Sequence, residues 1–71
     1  MKPREALFYK MFRLVQTRKE YANGFTFMCG LKAMCIEYES DDYFTARAVI
    51  ADLFGEQEAL ALDNAYIKST R

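Results

Sequence analysis

Between Phe25 and Tyr38 runs FTFMCGLKAMCIEY, a stretch whose only charged residues are Lys32 and Glu37 and which therefore has little to offer water in any conformation. At roughly 100° per residue, a helix through it is apolar on two flanks: Phe27, Leu31, Met34 and Tyr38 on one, Phe25, Cys29 and Ile36 on nearly the opposite one. Such a helix needs neighbours on both flanks. The strip between them, Thr26, Gly30, Ala33 and Glu37, is narrow enough at Gly30 and Ala33 for another backbone to come close. The expectation is a central helix, the least exposed part of the chain. A β-hairpin competes, because Phe25, Phe27 and Cys29 alternate and Phe, Thr, Cys, Ile and Tyr favour strands. Leu31 to Met34 breaks that alternation, and Leu, Met and Ala favour helix.

The flanking segments read as helices too. Pro3 suits the first turn, where its missing N–H costs nothing, and Glu5 sits near the positive end of the dipole. From there a helix over about 3–22 places Leu7, Phe8, Met11, Leu14, Val15 and Tyr21 on one broad face, with Phe12 at its edge and Arg18 inside the apolar arc. Asn23-Gly24 is read as its end, with Gly24 in the left-handed position after the terminus. The central helix then covers about 26–39. Ser40 or Asp41 can cap a third helix over about 42–54, which buries Tyr43, Ala46, Ile50, Leu53 and Phe54 and stops at Gly55. A fourth over about 56–67 has Ala59, Leu62, Ala65 and Tyr66 as its best stripe, with Leu60 and Ile67 on a second. The tail from Lys68 to Arg71 is expected to fray. The fold class is thus all-α, a bundle of three or four short helices forming a single domain over residues 1–71.

Chemistry is constrained mostly by what the sequence lacks. Histidine is absent, so a cysteine nucleophile has no customary base and a zinc site no customary nitrogen ligand. Cys29 and Cys35 lie six apart, about 120° around a helix and too divergent to bridge; they read as buried small hydrophobes. Glu37, Glu39, Asp41 and Asp42 lack the alternation and central glycine of a calcium loop, and three isolated glycines make no phosphate loop. No enzyme activity, metal or cofactor is expected. No leader-like segment opens the chain and no run approaches the ~18 apolar residues of a membrane span. The expected compartment is a reducing cytoplasm.

Charge and aromatic content point toward partners. The net charge is zero, yet residues 1–20 hold six basic residues against Glu5 and Glu20, and residues 37–63 hold Arg47 against eight acids. Such halves can attract within the fold or across a dimer. For 71 residues, 52% hydrophobic and 15% aromatic content exceeds what a small core readily consumes, and aromatics and Met are enriched at interfaces. Ile50-Ala51 followed by Phe54-Gly55 and another helix has the spacing of a helix-turn-helix. Glu56, Glu58 and Asp63 on the would-be reading helix, however, would repel phosphate. The expected function is therefore binding of another protein, as a regulator, inhibitor or accessory subunit, in a homodimer or a tight hetero-complex. The candidate contact residues are Lys10, Arg13, Arg18, Lys19, Tyr9 and Phe12. The alternative is a nucleic-acid-associated regulator using the basic face of the first helix.

Overall fold

The computed structural model describes residues 2–69, and among them it contains four α-helices and one 3₁₀ turn. Helix α1 spans Pro3–Gln16, the turn Lys19–Tyr21, α2 Gly24–Ala33, α3 Asp41–Phe54 and α4 Glu56–Ser69. The all-α bundle expected from the sequence is what forms. Its packing order differs from its chain order: α1 lies on α3, α3 on α4, and α4 on α2. The two helices at the ends of that series, α1 and α2, share no comparable contact with each other. The core is built from Phe8 and Phe12 of α1, Phe27, Met28 and Leu31 of α2, Tyr43, Ala46, Val49 and Ile50 of α3, and Leu62 and Tyr66 of α4, with Ile36 from the connection.

Helix α1 stops at Gln16 rather than continuing to residue 22. The Thr17 hydroxyl donates to the Leu14 carbonyl at 2.7 Å and takes over an acceptor that a further turn would have used. The Gln16 side-chain amide meanwhile donates to the Leu53 carbonyl at 2.9 Å and ties this end to α3. Arg18, expected inside the apolar arc, has left the helix and is exposed. The buried stripe is Phe8 and Phe12, so the helix is rotated about its axis relative to the expected face, and Leu7, Leu14 and Tyr21 are left open to solvent.

Asn23-Gly24 begins a helix instead of ending one. Asn23 is extended and its side-chain oxygen accepts the Thr26 N–H at 2.9 Å, the bond of an N-cap. Gly24 is the first residue of α2, and a Cβ placed there would lie 2.5 Å from the carbonyl carbon of Ala61. The close backbone approach expected at Gly30 occurs here, between α2 and α4. Gly30 is exposed, with nothing within 4 Å of where its Cβ would be.

Helix α2 ends at Ala33, six residues short of expectation. Cys35 is left-handed at φ 60°, its N–H donates to the Lys32 carbonyl at 2.9 Å and the Ile36 N–H reaches back to the Leu31 carbonyl at 3.0 Å. These two bonds form a Schellman closure, and the apolar contact that accompanies such a closure is supplied by buried Leu31 and Ile36. A cysteine stands where glycine is usual, which is why the stop carries no sequence signal. Two expectations fall with this geometry. Phe25 and Cys29 form no second buried flank, Phe25 being 67% exposed, and both cysteines are free and exposed. Downstream, the Ser40 side chain accepts the Tyr43 N–H at 3.2 Å as the cap of α3, and Gly55 at φ 102° separates α3 from α4 as expected. Lys68 and Ser69 remain helical; Thr70 and Arg71 lie outside the described residues.

One end of the bundle is closed by tyrosines. Tyr43 and Tyr66 meet edge to face at 5.0 Å, and Tyr38 contacts both. The Tyr66 hydroxyl donates to the Ile36 carbonyl at 3.0 Å, and the Tyr43 hydroxyl donates to Asp63, which also accepts from Arg47 Nε at 3.0 Å. Arg47 reaches Glu56 with its other arm at 3.0 Å. Burial raises the Tyr43 phenol above its usual range, and the hydrogen bond to Asp63 raises it further; burial does the same for Tyr66 and Tyr38. A phenol whose pKa is raised by folding stabilises the fold below the unfolded value of about 10, and that contribution is lost as pH rises past it. Denaturant midpoints are therefore expected to fall between about pH 9 and pH 11, with a shallower fall in Tyr43→Phe.

Candidate functional site

Helix α1 packs mainly on α3 and α2 mainly on α4, so the two meet each other at Phe12 and Phe27 and leave a groove between them. Their facing side chains line a groove of about 310 Å³: Met11, Phe12, Leu14 and Val15 from α1, Thr26, Phe27 and Gly30 from α2. Phe12 and Phe27 make the floor, edge to face at 5.5 Å. Leu14 stands on the rim, 68% exposed, and Leu7, Met11 and Leu14 recur at the i, i+4, i+7 spacing of one helical stripe. On the facing wall Gly30 contributes no side chain, so the rim is low there. Towards the 3₁₀ turn the groove runs into a recess of about 520 Å³ that Leu14, Val15 and Thr26 share with Thr17, Arg18 and Tyr21.

The charge around this opening is one-sided. Between Pro3 and Ala33 the basic residues are Arg4, Lys10, Arg13, Arg18, Lys19 and Lys32, against Glu5 and Glu20. Helix α2 carries no acid at all. Arg4 pairs with Asp42 of α3 across 3.8 Å, but among the described residues no acidic side chain lies within ion-pair reach of Lys10, Arg13, Arg18 or Lys19. The acids of the second half are occupied differently, Glu56 and Asp63 holding Arg47 between α3 and α4. The two oppositely charged halves thus neutralise one another little inside the fold.

The candidate residues named from the sequence separate into four groups. Arg18 lines the recess and Lys19 lies beside it on the turn. Lys10 is exposed, one turn before Leu14 on α1. Arg13 is stacked over the Tyr9 ring at 5.3 Å, and the Tyr9 hydroxyl donates to Asp52 at 2.8 Å, which also raises the phenol's pKa, so this pair belongs to the α1–α3 seam. Phe12 is 4% exposed and belongs to the core, where it can touch a partner only as the groove's floor. What sequence reasoning missed is Leu14 as a rim residue together with Thr26, Phe27 and Gly30 across from it. The i, i+4, i+7 stripe is visible in the sequence, but the same spacing also marks a core face.

Two other recesses are less suited to a macromolecular ligand. One of about 590 Å³, beside Phe25, Met28 and Lys68, lies between α2 and α4, which are already packed on each other. The other, about 500 Å³, lies by Lys32, Cys35 and Tyr66; Lys32 is spent there on the Tyr66 ring at 5.5 Å and on the Ser69 hydroxyl. Among the described residues no cluster of three His, Cys, Asp or Glu side chains is placed to hold a metal ion, and no helix is long and apolar enough to cross a membrane. Comparison of the chain with known protein families, with curated proteins and with solved structures finds no match.

Proposed function

We propose that the protein is a small binding module that receives part of another protein in the groove between α1 and α2, and that it works by occupancy rather than catalysis. The observation that carries this reading is the unclosed side of the bundle, where an apolar floor and an exposed leucine rim lie together. Concave, mostly apolar surfaces with a few polar groups at the margin are where proteins take ligands. Free, exposed Cys29 and Cys35 suit a reducing cytoplasm. The surplus of hydrophobic residues is in this view spent on a hetero-complex. A symmetric dimer through the same groove would set one basic rim against another.

Leu14→Asp tests the reading. At so exposed a position the change costs about 1 kcal/mol, mostly from an acid in the last turn of α1, yet it puts a charge on the groove's rim. Wild-type protein is expected to retain a stoichiometric partner from its native lysate, with or without nuclease. Leu14→Asp loses that partner, and Phe44→Asp, on the exposed face of α3, keeps it. Equal capture by all three would refute the groove.

A second reading has its own support: among the described residues no acidic side chain lies within ion-pair reach of Lys10, Arg13, Arg18 or Lys19. Nucleic-acid binding through them would be salt-sensitive and would vanish on charge reversal at Lys10 and Arg13. Against it, Arg13 sits over Tyr9, whose hydroxyl is bound to Asp52, so an acid borders the footprint.

A further inference from the structure

We infer that the occupant of the groove is a single amphipathic helix of another protein, with large apolar residues on one face and acidic residues along its margins. The inference deepens the docking reading above and rests on it.

Shape sets the first part. On α1 and its C-cap the groove and the recess that continues it are lined by Met11, Phe12, Leu14, Val15 and Thr17, about 9 Å of helix axis at 1.5 Å per residue, which gives room for a partner helix presenting apolar anchors at i and i+3 or i+4. The described residues contain no strand, so an extended peptide has no sheet edge to join. Gly30 lowers one wall at the middle of the groove, where a Cβ would meet nothing within 4 Å. A helix can settle there against backbone.

Charge sets the second part. Arg18 lines the recess at one end of the groove, Lys10 is exposed one turn before Leu14 on α1, and α2 carries no acid. Acids flanking the partner's apolar stripe would find unpaired cations on the α1 side and no like charge on the α2 side. A second copy meets the opposite condition. A two-fold contact sets basic rim on basic rim, and a contact that laid α4 of one copy, with Glu56, Glu58 and Asp63, on the groove of the next would be head-to-tail and build a ring or a filament rather than a dimer.

The test is a displayed library of helical peptides with fixed apolar anchors at i and i+4 and randomised flanking positions. It is selected on the wild-type protein at about 0.15 M salt and counter-selected on Leu14→Asp. Expected are binders enriched in Asp and Glu at the flanks, whose affinity falls about threefold to tenfold on Arg18→Glu. A bulky side chain at Gly30, as in Gly30→Trp, should abolish their binding while the circular dichroism and melting of the protein are retained. Groove-dependent binders with neutral or basic flanks would overturn this inference and leave the docking reading standing. The absence of any Leu14-dependent binder would overturn both. Self-association at micromolar concentration that Leu14→Asp abolishes would make a second copy the occupant and overturn the inference.

Discussion

Leu31→Ala is expected to destabilise the protein by about 2–5 kcal/mol. Leu31 is wholly buried in the cluster that joins α2 to the rest of the core. Removing its branched end leaves a cavity walled by helices that cannot collapse without moving α2. The residue has a second role, because its carbonyl accepts the Ile36 N–H at 3.0 Å and its side chain belongs to the apolar pair that closes the helix. Folded proteins are stable by only about 5–15 kcal/mol, and small domains lie toward the lower end, so the loss is a large fraction of the total. Urea titration measures it: the midpoint should drop sharply with an unchanged slope. A drop of less than about 1 kcal/mol would mean that Leu31 is not packed as described.

The two glycines of α2 should respond to the same substitution with opposite signs. At Gly24 a methyl group would lie 2.5 Å from a backbone carbon and 2.6 Å from the carbonyl oxygen of Ala61. Neither atom can turn aside as a side-chain tip could, so Gly24→Ala forces α2 away from α4. Overpacking of this kind costs about 1–3 kcal/mol, which for a domain of this length is a fall in melting temperature of roughly 4–8 °C per kcal/mol. Gly30→Ala adds its methyl to open space on an exposed helical position and gains up to about 1 kcal/mol of helix propensity. Thermal melts of the two variants side by side give the comparison. Equal shifts would contradict the α2–α4 contact.

Helix content, the polar break at Ser40 and the stop at Gly55 were legible because each carries a local chemical signal: a hydroxyl that can cap, acids at a helix start, a glycine where φ is positive. The missed features carry signals that are ambiguous or absent. Asn23-Gly24 reads equally as a C-terminal stop or as a cap with a small first residue, and only the approach of Ala61 decides between them. Cys35 in a left-handed conformation has no sequence mark, so the apolar pattern continues without a break from α2 into residues that belong to the loop. The rotation of α1 is a tertiary effect. Phe8 and Phe12 outweigh Leu7 and Leu14 because their larger surfaces are worth more when buried, at about 25 cal/mol per Å². That rotation is also what exposes Leu14, so the groove could not be read before the packing order of the helices was known. The basic residues around it were legible, since charge segregation needs no fold to be seen, but which of them border the groove depended on where α1 ends.

The most direct measurement is site-specific crosslinking in the cell that makes the protein. A photoreactive side chain is placed at Leu14 on the groove's rim in one variant, and at Leu60 on the exposed side of α4 in another. If the open side of the bundle is the working surface, the Leu14 probe yields a discrete adduct with a second protein whose mass differs from that of this chain, and the Leu60 probe yields none. A specific adduct from Leu60 with none from Leu14 would contradict the assignment of the groove.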